Sequence, residues 1–320
     1  MRLYPLQFEP ILKERIWGGT KLKSFLKKSI LSETTGESWE ISIVENDISV
    51  VSNGFLKGKP LSELINDFPN EILGTKVFKQ FGAQFPLLFK YLDAREDLSI
   101  QVHPNDELAK VRHNSFGKTE MWYVMQADIN AKLIVGFKEN SSANEFLKVL
   151  KDKSILSILE SKKVKKGDVF FLETGTVHAI GAGTVIAEIQ QTSDITYRIY
   201  DFDRVDANGN VRELHLDLAL DAINFNEVKA EIKYLKKKNF SNQVVDCKYF
   251  TTNFIALDGS INISKINQSF TVYMCVDGSF EIEYDNEKYL YKIGDTILIP
   301  AEMSNFIIKG NAEVLEIYIS

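Results

Sequence analysis

Four histidines occur in 320 residues, and two of them stand among side chains able to hold a metal ion. Gln101 and His103 are one residue apart in LSIQVHP. On a strand, side chains alternate with a period of two, so both point to one face together with Ser99. Glu120 opens the β-rich part of KTEMWYV, and His178 stands in the turn of GTVHAIG. The four offer two imidazole nitrogens and two oxygens, a donor set that suits zinc with room left for water or substrate. Each has a plainer reading, since a Gln-x-His pair on a strand is also a satisfied polar pair and a glutamate beside Trp122 needs no ion. His113, followed by Asn114 and Ser115, reads as surface loop, and His215 falls in the helical run RELHLDLAL. Neither is assigned to the site.

Most of the chain reads as short strands that must position these residues. WEISIV, AKLIVGF, DVFFLE, TVIAEI, FTVYMCV, SFEIEY and DTILIP recur between Gly, Asn and Asp turns, a spacing that predicts an antiparallel sandwich or barrel. Helical periodicity is confined to Pro60 to Phe81, the run after Asn105, Ala143 to Glu160, and Glu213 to Phe225. A weak internal repeat aligns KKGDVFFLETGTVHAI (165–180) with YKIGDTILIPAEMSNFI (291–307). In both copies a Gly-Asp step launches a strand, and eleven residues after the glycine stands His178 in one and Asn305 in the other. WYVMQADINAKLIVGF and YMCVDGSFEIEYD read as matching hairpins upstream.

The repeat resembles the second motif of the cupin β-barrel, in which a glycine, a proline and a further glycine precede a metal-binding histidine. Gly167, Gly175 and His178 match in the first copy, where Glu173 replaces the proline; Gly294 and Pro300 match in the second. The resemblance implies a mainly β protein of two cupin-like (jelly-roll) barrels with α-helical insertions. Residues 1–239 would form a metal-binding catalytic domain and residues 240–320 a C-terminal barrel without a metal site.

A second resemblance covers most of the chain and is strongest before about Phe240. FPLLFKYLDAREDLSIQVHPND, GKTEMWY and HAIGAGTVIAEIQQTSDITYRIYDFDR, with RIWGG and GESWEIS before them, are similar to the type I mannose-6-phosphate isomerase family. That family consists of zinc-dependent cupin isomerases of mannose and fructose 6-phosphates, and the chain is closest to its short bacterial form. The resemblance implies one Zn²⁺ per chain on Gln101, His103, Glu120 and His178, with Arg198 as catalytic arginine and Lys118 and Glu188 as active-site groups. Ser99, Lys90 and Ser193-Asp194 would line or support the pocket. Arg198 is followed by Ile199, Tyr200 and Asp201, where longer members have Ala-Gly and a Thr-Pro-Lys, so phosphate contacts do not carry over position by position. A phosphate needs only a local cluster of arginine or lysine, for which Arg15, Lys90 and Lys118 are the candidates. Lys118, two residues from Glu120, would face the same side, and a nearby Zn²⁺ would favour its neutral form as an acid or base at oxygen.

Two other readings remain open on these residues. An Fe(II) cupin oxygenase would also use barrel histidines, though such sites use three histidines or two with one carboxylate. A non-catalytic sugar-phosphate sensor could occupy the same scaffold. Composition narrows the partners to small molecules. The net charge of −6 and the interrupted lysine runs at 162–166 and 236–238 leave no basic face for nucleic acid. No apolar run reaches the ~20 residues that span a bilayer, and MRLYPLQFEP has no secretory apolar core, so a cytoplasmic location is expected. Cys247 and Cys275 cannot build a disulfide framework and are expected to be buried thiols.

Overall fold

In the strand Leu87–Ala94 every residue is buried, because both faces of its sheet are covered. Leu87, Phe89 and Tyr91 enter one apolar core while Leu92 and Ala94 enter another, as the pleat requires. The structure, a computed structural model, describes residues 2–30, 32–206, 209–265 and 268–320.

Leu87–Ala94 is central in a seven-stranded antiparallel sheet ordered Ile11–Gly19, Thr35–Ile41, Leu87–Ala94, Thr184–Gln191, Glu120–Ala127, Val169–Leu172, Glu231–Ile232. A five-stranded sheet, Tyr197–Tyr200, Ile100–Val102, His178–Ile180, Lys132–Phe137, Leu159–Lys163, packs against it. Trp122, Val124 and Ile186 of the first meet Leu133, Val135 and Ile180 of the second. Helices Ala143–Lys151 and Leu216–Ala222 cover the outer face of the smaller sheet, where Ile100, Val102, Ala179 and Ile199 point. The opposite face of the larger sheet packs on a six-stranded C-terminal sheet: Phe89, Met121 and Tyr123 share one core with Phe254, Val272 and Leu315. The N-terminal segment ties the two together, Leu6 pairing with Leu298 in both directions at 2.9 Å.

The mainly β, cupin-like architecture is as expected, and among the described residues strand pairing gives packed open sheets rather than a closed barrel. The hairpin expected from WYVMQADINAKLIVGF is split, Glu120–Ala127 lying in the larger sheet and Lys132–Phe137 in the smaller one. The turn therefore crosses between two open sheets. In the C-terminal unit, YMCVDGSFEIEY lies within one strand, Thr271–Tyr284, irregular between Cys275 and Asp277. Its first part pairs with Thr296–Ile299 and its last part with Glu287–Lys292, so one long bent strand serves where a hairpin was expected.

The internal repeat is structurally real. Gly167 and Gly294 both adopt positive φ, +85° and +89°. Asp168 accepts from the Lys165 N–H and Asp295 from the Lys292 N–H, each at 2.9 Å. The copies diverge afterwards: His178 is buried between sheets, whereas Asn305 is exposed. Inside the C-terminal sheet, Leu257, Phe280, Ile282, Ile297 and Val314 pack into an apolar core.

Helices appear where expected but shorter. The segment 60–81 is three helices, Leu61–Asp67, Pro69–Leu73 and Thr75–Phe81, because Pro69 cannot donate an amide hydrogen and Gly74 follows at φ +89°. Cys275 is buried, but Cys247 is only partly so, at the turn after Asn242–Asp246. Among the described residues no helix is long and apolar enough to cross a membrane.

Candidate metal centre

The two facing sheets bring together what the sequence holds far apart. Gln101 and His178 are direct partners across antiparallel strands of the smaller sheet. Glu120 opens its strand in the larger sheet, opposite Leu172 and Gln190. His103, just past Ile100–Val102, completes the set. Alternation does the aiming, since Ile100, Val102, Val177 and Ala179 point outward to the helices and leave Gln101 and His178 facing inward.

Ligand atoms of His103, Glu120 and His178 all lie within 4.8 Å of one another, and all three side chains are buried. His103 Nε2 is 3.4 Å from Glu120 Oε2, and His178 Nε2 is 3.4 Å from Glu120 Oε1. Each imidazole is oriented from behind, His103 Nδ1 lying 2.9 Å from the Ile195 carbonyl and His178 Nδ1 2.8 Å from that of Thr176. Those carbonyls place the ring hydrogen on Nδ1 and turn the Nε2 lone pair inward, the usual outer support of a metal-binding histidine. The Gln101 amide is 3.2 Å from His178 Nε2, and a half-turn of that amide brings its oxygen to the same point.

Both Glu120 carboxylate oxygens are buried, and among the described residues Oε1 has no donor while Oε2 has only the Lys118 ammonium, 3.2 Å away. An acceptor without a donor is costly in a protein interior. A divalent cation between Glu120 and the two imidazoles satisfies it, so the donors fit a metal. Burial, reinforced by the Lys118 ammonium, pushes His103 down to about 3, and burial likewise lowers His178, which keeps both imidazoles neutral and able to ligate. Burial acts to raise the Glu120 carboxyl, but the neighbouring Lys118 ammonium outweighs it and holds the group ionised.

Above this centre opens a cavity of about 640 Å³. Arg15, Lys90, Ser99, Gln101, Lys118, Glu188 and Arg198 all line it, as does Asp194, whereas His103, Glu120 and His178 lie beneath. Lys118 Nζ is 3.1 Å from His103 Nε2 and 3.2 Å from Glu120. Burial works to lower the Lys118 pKa, but Glu120 and Glu188 overcome it and raise it, so the protein's own charges oppose the neutral lysine expected beside a metal. Glu188 pairs with Lys90 at 3.2 Å rather than with Arg198, and accepts from Trp122 Nε1 at 3.0 Å. Burial raises its carboxyl despite Lys90.

Arg198 faces the cavity beside Gln101, its strand partner. Its Nη1 donates to the Glu213 carbonyl at 2.8 Å, and its buried Nε has no partner. Burial and the neighbouring Arg212 lower its pKa. His215 stands just before helix Leu216–Ala222, not within it, and exchanges two bonds with Arg198: the Arg198 N–H donates to Nδ1 at 3.0 Å and the His215 N–H to the Arg198 carbonyl at 2.7 Å. His113 is exposed at the end of helix Asp106–His113, 2.9 Å from the Tyr197 hydroxyl.

Glu37, Trp39 and Arg212 are among the cavity residues that escaped the sequence reading. Glu37 accepts from Arg15 Nε at 2.7 Å and from Trp39 Nε1 at 2.6 Å. Burial would raise it, yet Lys90 and Arg15 hold it at about 2. Its signal was present, since Glu37 and Trp39 alternate in GESWEIS. Arg212 donates to Asp201 through Nε at 2.7 Å and Nη2 at 2.5 Å, and nothing in its local sequence marks it.

Two sheets enclosing a metal-capable centre under a cation-rich cavity define a metal-site cupin. The family described as phosphomannose isomerase type I, catalytic domain, matches residues 5–123, and that described as mannose-6-phosphate isomerase, cupin domain, matches residues 239–319. The chain is 38% identical to the mannose-6-phosphate isomerase ManA of Bacillus subtilis over 98% of its own length and 99% of that protein. It is 36% identical to the mannose-6-phosphate isomerase of Streptococcus mutans, covering 97% of each. The crystal structure of a Bacillus subtilis mannose 6-phosphate isomerase superimposes with a TM-score of 0.90 at 35% identity, over 98% of this chain and 99% of that one. The chain belongs to the type I mannose-6-phosphate isomerase family.

Proposed function

We propose that this protein interconverts mannose 6-phosphate and fructose 6-phosphate in the cavity above His103, Glu120 and His178. The observation that carries the reading is the buried Glu120 carboxylate, with Oε1 lacking a donor, between two inward-turned imidazoles at the floor of a cavity lined by lysine and arginine. Gln101, His103, Glu120 and His178 would hold one zinc ion. Bound there, zinc supplies Lewis acidity toward negative charge on a neighbouring substrate oxygen.

The isomerisation moves a proton from the carbon beside the aldehyde to the former aldehyde carbon, and a hydroxyl proton between the two oxygens. Arg198 projects a fixed cation toward the oxygens on which charge develops, and loss of such a group typically costs on the order of 10²-fold in rate. Lys118 presents Nζ to the same oxygens. Glu188, whose carboxyl burial raises, keeps its proton to higher pH than an exposed glutamate, which suits it to proton transfer. Arg15, Lys90 and Ser99 would receive the sugar phosphate, and Arg212 adds a guanidinium held by Asp201. In this division residues 1–239 carry the chemistry, residues 240–320 form the second unit, and the free thiols suit a cytoplasmic setting.

The test is interconversion of the two sugar phosphates by purified protein, before and after chelation and with zinc restored, beside His178→Ala. Activity that disappears with chelator, returns with zinc and is missing from the variant is expected. Stoichiometric zinc binding without turnover would overturn the isomerase reading.

A further inference from the structure

Asp106 lies outside the cavity lining, yet it is bonded toward the metal centre on one side and to the C-terminal unit on the other. Its Oδ1 accepts from the Gly117 N–H at 3.1 Å and from Gln191 Nε2 at 3.0 Å. Gln191 in turn grips Thr119 twice: Oε1 accepts from the Thr119 N–H at 2.9 Å, and its own N–H donates to the Thr119 carbonyl at 3.2 Å. Thr119 separates Lys118 from Glu120. Gly117 is pressed against the same turn, for a Cβ there would stand 2.7 Å from Asp106 N and 2.8 Å from Asn105 C. The segment bearing Lys118 and Glu120 therefore has little freedom to move apart from Asp106.

The second oxygen, Oδ2, accepts from the Tyr249 hydroxyl at 2.7 Å and from Lys248 Nζ at 3.3 Å. Both donors sit in the turn between Asn242–Asp246 and Thr251–Ser264 of the C-terminal sheet. Lys248 is exposed and such a surface pair contributes little. The Tyr249 hydroxyl is the shorter, directional bond to a charged acceptor.

We propose that Tyr249 is a positioning residue for the metal centre, acting through Asp106 and Gln191 to hold the Gly117–Glu120 segment in register. The C-terminal unit, in which the described residues hold no cluster of metal donors, thereby takes part in the chemistry of its neighbour. Outer hydrogen-bond partners of metal ligands typically alter affinity or activity by about 10–100-fold, and small displacements of reacting groups are costly in rate. The activity arm rests on the isomerase reading, whereas the metal arm does not.

Tyr249→Phe removes the hydroxyl and keeps the ring. Affinity for Zn²⁺, measured on metal-stripped protein by competition with a chromogenic chelator, is expected to fall about tenfold, with kcat falling comparably and KM unchanged within about twofold. Adding Tyr249→Phe to Asp106→Ala should produce little further loss of either quantity. Lys166→Gln, which breaks the contact of Lys166 with Asp277 elsewhere between the units, should leave both unchanged. Wild-type zinc affinity in Tyr249→Phe, additive losses in the double variant, or an equal loss in Lys166→Gln would each overturn the proposal. A wild-type protein that turns over neither sugar phosphate would defeat the isomerase reading, while the zinc titrations would still decide the role of Tyr249.

Discussion

At the level of single residues the site is a problem in placing charge. Glu37 is buried and held at about 2 against an ordinary 4.5, because Lys90 and Arg15 favour its ionised form more than burial penalises it. A carboxyl whose folded pKa is depressed contributes stability that is complete above its unfolded value and lost as pH falls through the folded one. In Glu37→Gln, the stability deficit relative to wild type, read from urea midpoints, should therefore be full above pH 4.5 and close between pH 4.5 and 2. A deficit independent of pH would mean that Glu37 acts by shape alone. The same substitution weakens the hold on Arg15 Nε, so KM for the sugar phosphate should rise several-fold with a smaller change in kcat, checked by steady-state kinetics.

Elements matter through their termini. Tyr197–Tyr200 is a short edge strand of the smaller sheet, and what secures it on its free side is the reciprocal pair of bonds between Arg198 and His215 at the entry to Leu216–Ala222. His215→Ala leaves the Arg198 N–H without its acceptor, at a cost of about 1–3 kcal/mol. Chemical denaturation should report that loss, and kcat should fall because the guanidinium shares the displaced backbone. Unchanged stability and rate would show that water replaces the imidazole without consequence. The Gly-Asp turns at Gly167 and Gly294 make the same point twice: one turn geometry serves a strand leading to the buried His178 and another leading to the exposed Asn305.

For the whole molecule, the decisive feature is that a single apolar core spans both units. Phe89, Tyr91, Met121, Tyr123 and Val185 on the larger sheet are covered by Phe254, Val272, Leu298 and Leu315. Deleting residues 240–320 would expose that face, which buried apolar area of this kind makes strongly unfavourable. A 1–239 fragment is expected to aggregate or to lack a cooperative transition, while the full chain unfolds in one transition by fluorescence and circular dichroism alike. A fragment melting sharply at the wild-type Tm would show two independent folding units. This shared core is also why the Tyr249 turn can be held accurately against Asp106.

Much of this was legible in the linear chain because its signals are local. Alternation alone put Gln101, His103 and Ser99 on one face, and the Gly-Asp repeat showed the same turn in two places, followed by His178 in one and Asn305 in the other. Tertiary structure decided what depends on distance across the sheets. It determined that Glu120 and His178 meet from opposite sheets, that Glu188 pairs with Lys90 rather than Arg198, and that Arg212 lines the cavity. It also left both units open, because a turn crossing between sheets and a bent 14-residue strand look like hairpins in sequence. Periodicity tells which way a side chain points; only the packing of one sheet on another tells what it meets there.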